Sequence, residues 1–303
     1  MNASQEMEKS LAIIAVVVTY NRLSLLKGCI AALKKQTYNL QKIVIIDNHS
    51  TDGTTEYLSQ YTSDTAVDVF TNAENVGGSA GFSQGIKQAA LEHPDWIWIM
   101  DDDTIPQTDA LEHLVYILNQ HENTGFVNSK VVWTDGNIHQ MNIPGYVHHD
   151  DLGGGLYAIR SASFVSLLVP SKIVREVGLP YREFFIWVDD AEFTARIVKA
   201  GHKGYLTTSS VVVHKTATNY GASIKTATPE AAWKFYYYMR NGMFASRGEK
   251  PWIIWFFKNL NHLRLDIHRT KNMAPELRSL LKNNLWRGFV DGLTFSPRKE
   301  FVD

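Results

Sequence analysis

The stretch WIWIMDDDTIP, Trp96–Pro106, decides how this chain is read. Five apolar or aromatic residues run straight into three adjacent carboxylates, Asp101, Asp102 and Asp103. A short apolar run bounded by turn signals reads as a strand buried on both faces. Adjacent carboxylates repel one another and resist leaving water, so a strand ending this way requires a positive partner. Side chains alternate along an extended segment, so Asp101 and Asp103 can face one ligand. A hard divalent cation, Mn²⁺ or Mg²⁺, suits such oxygen ligands and commonly bridges to phosphate. The competing reading is a solvated acidic turn ahead of the next helix, TDALEHLVYILNQ (108–120), with Thr108 as its cap.

Upstream, the same kind of strand recurs. LAIIAVVVT (11–19) is a continuous β-branched run followed by the loop TYNR (19–22). Residues 23–36 carry Leu25, Leu26, Ile30 and Leu33 at helical spacing. KIVIIDNHSTDGT (42–54) is a strand ending at Asp47 and a turn-rich loop, with a helix expected over 54–61. VDVFTN (67–72) is a third strand, and ENVGGSAGFSQGIKQAALEH (74–93) a glycine-rich loop entering a helix. Strand and helix in short alternation predict a parallel sheet with helices on both faces. Ligands of such sheets bind beyond the carboxyl ends of the strands. Residues 19–22, 47–50, 75–81 and 101–103 all fall at that edge. Asp47 there can accept from a base or ribose, or cap its own loop. Arg22 can pair with a phosphate or make a surface ion pair. The glycines permit close backbone approach, and a helix start behind them favours an anion.

Downstream, residues 126–165 read as strands and long loops, and PSKIVREVGLP (170–180) as a short helix closed by Gly178 and Pro180. FFIWVDDAEF (184–193) sets Asp189 and Asp190 at the start of a helix over 189–201. The pair is either an N-terminal cap or a general base beside an aromatic sugar platform, Trp187. GYLTTSSVVVHK (204–215) is a strand ending at His214, which becomes a third ligand if two aspartates already hold a metal. A soft boundary falls at 216–228. The rest is aromatic, basic and helical, suited to an interfacial helix near anionic lipid, to packing on the catalytic domain, or to pairing in a homo-oligomer.

Composition narrows the class. The chain has 303 residues with 30 Lys and Arg against 31 Asp and Glu, so it lacks the basic excess of a nucleic-acid binder. One cysteine, Cys29, excludes an internal disulfide framework and fits a reducing compartment. The polar start lacks a signal-peptide layout, and the apolar runs 11–18 and 251–257 are too short to span a bilayer. A cytoplasmic protein, free or peripheral on the inner face of the plasma membrane, is expected. The dinucleotide fingerprint of a dehydrogenase is missing.

Taken in order, VVVTYNR, IVIIDNHSTDGT, NVGGSAGFSQG, WIMDDDTIP, FFIWVDDAEF and the strand to His214 resemble glycosyltransferase family 2, with the GT-A fold. The likeness spans roughly 12–215 and continues weakly through YYYMRNGMF (236–244) and WRGFVDGL (286–293). It is strongest to the branch of rhamnosyltransferases and bacterial galactofuranosyltransferases. The latter often carry Trp directly before the two aspartates, where this chain inserts Val188. The resemblance implies a catalytic domain over 1–215, with a donor half (11–103) and an acceptor half (104–215), then a helical extension over 216–303. It implies that Asp47 holds the base beside the Thr19–Arg22 loop. Asn75, Gly77 and Gly78 then follow the ribose and diphosphate, with Asp101 and Asp102 also on the donor. Asp101, Asp103 and His214 match the metal set. Asp190 matches the base, with Trp187 and Asp189 on the acceptor. The implied reaction moves a sugar, galactofuranose or rhamnose, from a nucleotide-diphosphate donor, UDP by resemblance, to a glycan or lipid-linked glycan in cell-surface polysaccharide synthesis. The alternatives are a nucleotidyltransferase and a silent sugar-nucleotide-binding scaffold subunit.

Overall fold

The computed structural model describes residues 11–59, 66–221 and 223–302. The polar start, the end of the helix expected over 54–61 and one residue of the 216–228 stretch lie outside them. The first apolar run forms β1 (Ile13–Thr19), buried along its whole length. Its pleat sends Ile14, Val16 and Val18 into one core and Ile13, Ala15 and Val17 into another on the opposite face. A strand buried on both sides needs helices above and below it. β2 (Lys42–Asp47) and β3 (Ala66–Thr71) follow on one side of β1 and β4 (Trp96–Asp101) on the other, all parallel.

One face is covered by α1 (Leu23–Leu33) through Leu26, Ile30 and Leu33, and by α2 (Thr54–Ser59) through Leu58. The other is covered by α3 (Gly78–Leu91) through Phe82 and Ile86. Each such fully buried side chain contributes about 1.5–3 kcal/mol. α3 sits unusually close. A Cβ at Gly81 would lie 2.7 Å from Val18 Cγ1, and one at Gly85 would lie 2.5 Å from Val16 Cγ1. Those two glycines of the glycine-rich stretch therefore serve helix–sheet packing.

After Asp101 come β5 (Thr104–Pro106), α4 (Ala110–Gln120), β6 (Thr124–Val132), β7 (Gly145–Tyr146), β8 (Leu156–Ser161), β9 (Leu167–Pro170), α5 (Ser171–Val177), α6 (Asp189–Lys199) and β10 (Lys203–His214). The result is a mixed α/β fold with a ten-stranded, mostly parallel sheet, ordered β3-β2-β1-β4-β9-β6-β10-β8-β7 with β5 on β10. The four-residue β9 is antiparallel to both β4 and β6 and joins the two halves. A chain of hydroxyls crosses the join. Trp98 Nε1 donates to Ser166 Oγ at 3.0 Å, the Ser166 and Ser129 hydroxyls are hydrogen-bonded at 2.6 Å and those of Ser129 and Ser210 at 2.7 Å, and Ser210 Oγ donates to the Ala110 carbonyl at 2.8 Å.

Thr108 does not cap α4. Asp109 occupies the cap position without a side-chain bond, and Gln36 Oε1 instead accepts from Leu111 N at 3.0 Å. The segment just after α1 thus caps α4 from outside, because Thr37 N donates to the Thr108 carbonyl and holds the two segments together.

The C-terminal extension is helical, as α7 (Lys234–Ala245), α8 (Trp252–Arg269) and α9 (Pro275–Gly292), with a core of its own around Met239, Trp255, Leu263 and Leu285. The chain then returns to the first unit. Leu179 N donates to the Glu300 carbonyl at 2.8 Å, and Val302 joins the core with Val174 and Val177 of α5.

Candidate active site

Topology brings the acidic triplet to His214. β4 ends at Asp101, β5 begins three residues later at Thr104, and β5 pairs antiparallel with the end of β10, His214 opposite Thr104. A bulge between Thr207 and Val211 re-aims the end of β10, and Lys215 N donates to the Asp103 carbonyl at 2.9 Å. One ligand atom from each of Asp101, Asp103 and His214 lies within 4.8 Å of the other two. Asp102 lies in the turn between β4 and β5. It accepts from Thr19 Oγ1 at 2.7 Å and from Arg22 Nη1 at 3.4 Å. Arg22 Nη1 also lies 2.6 Å from Asp103 Oδ2. Within the protein, the positive partners of the triplet are therefore Arg22 and His214.

The electrostatics follow from this crowding. Burial, then the Asp103 charge, pushes the Asp101 carboxyl up to about 8. Burial pushes Asp102 up to about 6, with Arg22 and Thr19 opposing it. Burial also opposes the charge on Asp103, but His214 and Arg22 outweigh it and hold that carboxyl below its ordinary value. For His214 burial disfavours the cation, yet Asp103 and Asp101 outweigh it and raise the imidazole above its ordinary value.

The donor set fits a divalent metal. His214 Nδ1 lies 2.8 Å from Asn142 Oδ1, so with its proton given to that amide the Nε2 lone pair faces Asp103 Oδ1, 2.9 Å away. Two lone pairs at that distance need something positive between them, a proton or a metal ion. Asp103 Oδ1 is buried without an aligned hydrogen-bond donor. Two carboxylates and an imidazole oriented by an amide form a familiar hard-cation arrangement. Asn142 escaped the sequence reading, as did His139. The His139 ring lies 4.5 Å from that of His214 and is pushed down to about 4 by burial and by His214, so it stays neutral.

The loops after β2 and before α3 meet through amides. Asp47 is fully buried, and its two oxygens take Ser50 N at 3.0 Å and Thr55 Oγ1. Its neighbour Asn48 reaches further: its Nδ2 donates to Asn75 Oδ1 at 2.9 Å, and its Oδ1 accepts from Val76 N at 3.1 Å. Asn75 Oδ1 in turn accepts from Gly77 N at 2.9 Å. Gly77 takes φ +85°, and a Cβ there would lie 2.4 Å from the Phe185 carbonyl oxygen, so no other residue fits. Gly78 has open space around it, and Ser79 N donates to the Phe185 carbonyl at 3.1 Å. The start of α3 is thus joined to the segment carrying the second acidic pair.

That segment is strained. Phe185, Trp187 and Val188 all have φ between 64° and 73°. Such residues persist only where their surroundings enforce them, and they cluster at functional sites. The enforcing residue is Asn241 on α7, whose Nδ2 lies 2.9, 3.1 and 3.0 Å from the carbonyls of Phe184, Ile186 and Trp187. Arg240 Nη2 adds a bond to the Glu183 carbonyl. Beyond the segment, buried Asp189 lies beside Ser79, and burial lifts its carboxyl to about 6. Burial, then Asp189, lifts Asp190 to about 7, while Ala191 N donates to Asp190 Oδ1 at 2.6 Å. Trp187 packs edge-on against Phe235, with Lys234 Nζ 5.8 Å from its ring centre. Burial, then the nearby Arg22 charge, lowers the Lys234 ammonium. A cavity of about 830 Å³, lined by Val188, Ala191, Ala195, Gly242 and Phe244, lies between α6 and α7.

Residues 14–160 match the family model described as glycosyl transferase family 2, and the chain carries a domain of that family in the GT-A fold. Among curated relatives, galactofuranosyltransferase GlfT1 of Mycolicibacterium smegmatis is 24% identical over 247 residues, 75% of this chain and 80% of the relative. The crystal structure of GalNAc-T7 with UDP, GalNAc and Mn²⁺ superposes with a TM-score of 0.64 at 17% identity, covering 92% of this chain and 55% of that one. Mannosyltransferase PcManGT from Pyrobaculum calidifontis, in complex with GDP-Man and Mn²⁺, gives 0.57 at 14% identity, covering 95% and 74%. These solved structures share the fold.

Proposed function

We propose that this chain is a metal-dependent, inverting glycosyltransferase that moves a sugar from a UDP-linked donor to a hydroxyl of a glycan or lipid-linked glycan. The observation that carries this reading is the convergence of Asp101, Asp103 and His214 within 4.8 Å at the carboxyl edge of the sheet. Those residues would hold Mn²⁺ or Mg²⁺, which when bound neutralises charge on the departing diphosphate. Thr19 and Arg22 fix Asp102 and the rim of the donor pocket, and the Asn48–Asn75 pair shapes the loop that receives the ribose and diphosphate. Asp190 accepts the proton of the acceptor hydroxyl while its oxygen attacks the anomeric carbon. The bond to the diphosphate breaks on the opposite face, so the configuration inverts. A carboxyl lifted to about 7 matches a base working near neutral pH. It also favours an active enzyme over a silent scaffold, which has no use for such tuning. UDP-galactofuranose is the first donor to test, because the matched relative GlfT1 is named for that transfer.

The test is calorimetry of a nucleotide-sugar panel with Mn²⁺ and with chelator, followed by transfer assays. One UDP-sugar should bind wild type only with metal, and Asp103→Ala should lose that binding. Asp190→Asn should bind as wild type and transfer about a thousandfold more slowly. Absence of metal-dependent binding across the panel would return the triplet to an ion-paired turn.

A further inference from the structure

Helix α8 is inverted in polarity. It buries Asn259 and Asp266 beside Trp255 and Leu263. Outward it turns Ile253, Ile254, Phe257 and Leu265, with 52%, 53%, 58% and 47% of their surfaces exposed, and Trp252 at its start is 64% exposed. Positions 254, 257, 261, 265 and 268 follow one another at helical spacing, so these side chains share one side. Clustered apolar exposure of this kind marks an interaction surface.

The same side carries positive charge. Lys258 borders Ile253, Ile254 and Phe257. Further along, Arg264, Leu265, His268 and Lys271 line a hollow of about 590 Å³ with Arg278 of α9, whose Nε is buried without a partner. Residues 250–302 hold ten Lys and Arg against four Asp and Glu, in a chain whose net charge is −1. Among the described residues no helix is long and apolar enough to cross a membrane.

We infer that α8 lies on the surface of an anionic bilayer, with Ile253, Ile254 and Phe257 among the acyl chains and Arg264, His268, Lys271 and Arg278 against lipid phosphates. Charge decides the occupant. A second copy docked about a two-fold axis would bring like-charged rims together, whereas an anionic bilayer supplies hydrocarbon and compensating phosphate on one surface. The inference stands apart from the reaction proposed above.

The test is sedimentation of the full chain with vesicles of phosphatidylcholine alone or mixed with phosphatidylglycerol. Wild type should sediment with the mixed vesicles, weakly with phosphatidylcholine alone, and less as salt rises. Ile254→Asp/Phe257→Asp and Arg264→Glu/Lys271→Glu should each lower partitioning at least about tenfold with an unchanged melting temperature. Failure of wild type to bind the anionic vesicles, or retention of binding in both variants, overturns the inference. So does a lipid-free dimer that Ile254→Asp/Phe257→Asp converts to monomer, which would assign the surface to a second copy.

Discussion

A carboxyl held at about 8, as Asp101 is, keeps its proton at pH values where the unfolded chain, with an ordinary value of 3.8, has released it. The native state then binds more protons than the unfolded state, so this residue makes stability fall as pH rises through that window. The raised His214 acts in the same sense: its contribution is complete below the ordinary imidazole value and is lost as pH climbs through the folded one. In chelator, the melting temperature should drop between pH 5 and 8 by at least about 2 °C more in wild type than in Asp101→Asn. Added Mn²⁺ should raise it more at pH 8 than at pH 5, because metal and proton compete for the same oxygens. Asp190 makes a separate claim. Transfer at saturating donor should rise with pH along a limb centred near 7, and a profile flat from pH 5 to 8 would remove Asp190 as the base.

Helix α7 matters through one amide. Asn241 shares its two amide N–H groups among three carbonyls of a segment whose backbone is left-handed at three non-glycine positions. Asn241→Ala should cost about 2–3 kcal/mol, since buried carbonyls lose their donor. It should also lower turnover while affinity for the proposed UDP-sugar, assigned above to the loops around Asn48 and Asn75, stays near wild type. Equal losses of both would assign Asn241 a purely structural role. This residue also shows what a sequence can disclose. Asp101, Asp103 and His214 were legible because charge at the end of an apolar strand is anomalous by itself, and the buried strands β1, β2 and β4 were legible from their composition. An asparagine on an aromatic helix breaks no local rule, so Asn241 and the His214-orienting Asn142 stayed hidden until the chain was folded. The inserted β9 was equally silent, because four apolar residues ending in proline signal neither direction nor partner. Thr108 failed as a cap because its competitor, Gln36, lies far away in sequence, just beyond the end of α1.

On the scale of the whole chain, residues 216–303 are sewn to the rest rather than appended. α7 holds the carbonyls of Glu183, Phe184, Ile186 and Trp187, and the final segment places Glu300 and Val302 on α5 and its exit. A chain ending at residue 215 should therefore show no cooperative melting transition under conditions where the full chain does. A sharp transition retaining metal-dependent nucleotide binding would instead make the extension a separable domain. The serine chain through Ser166, Ser129 and Ser210 acts on the same scale. It pins the two halves of the sheet across β9, which meets β6 over only two residue pairs. The gap between Asp101 and His214 is thus set like the jaws of a locked calliper, by a fastening behind the jaws. A sheet fastened this way does not breathe by sliding strands, so admitting a donor and releasing a nucleotide fall to the loops at its carboxyl edge.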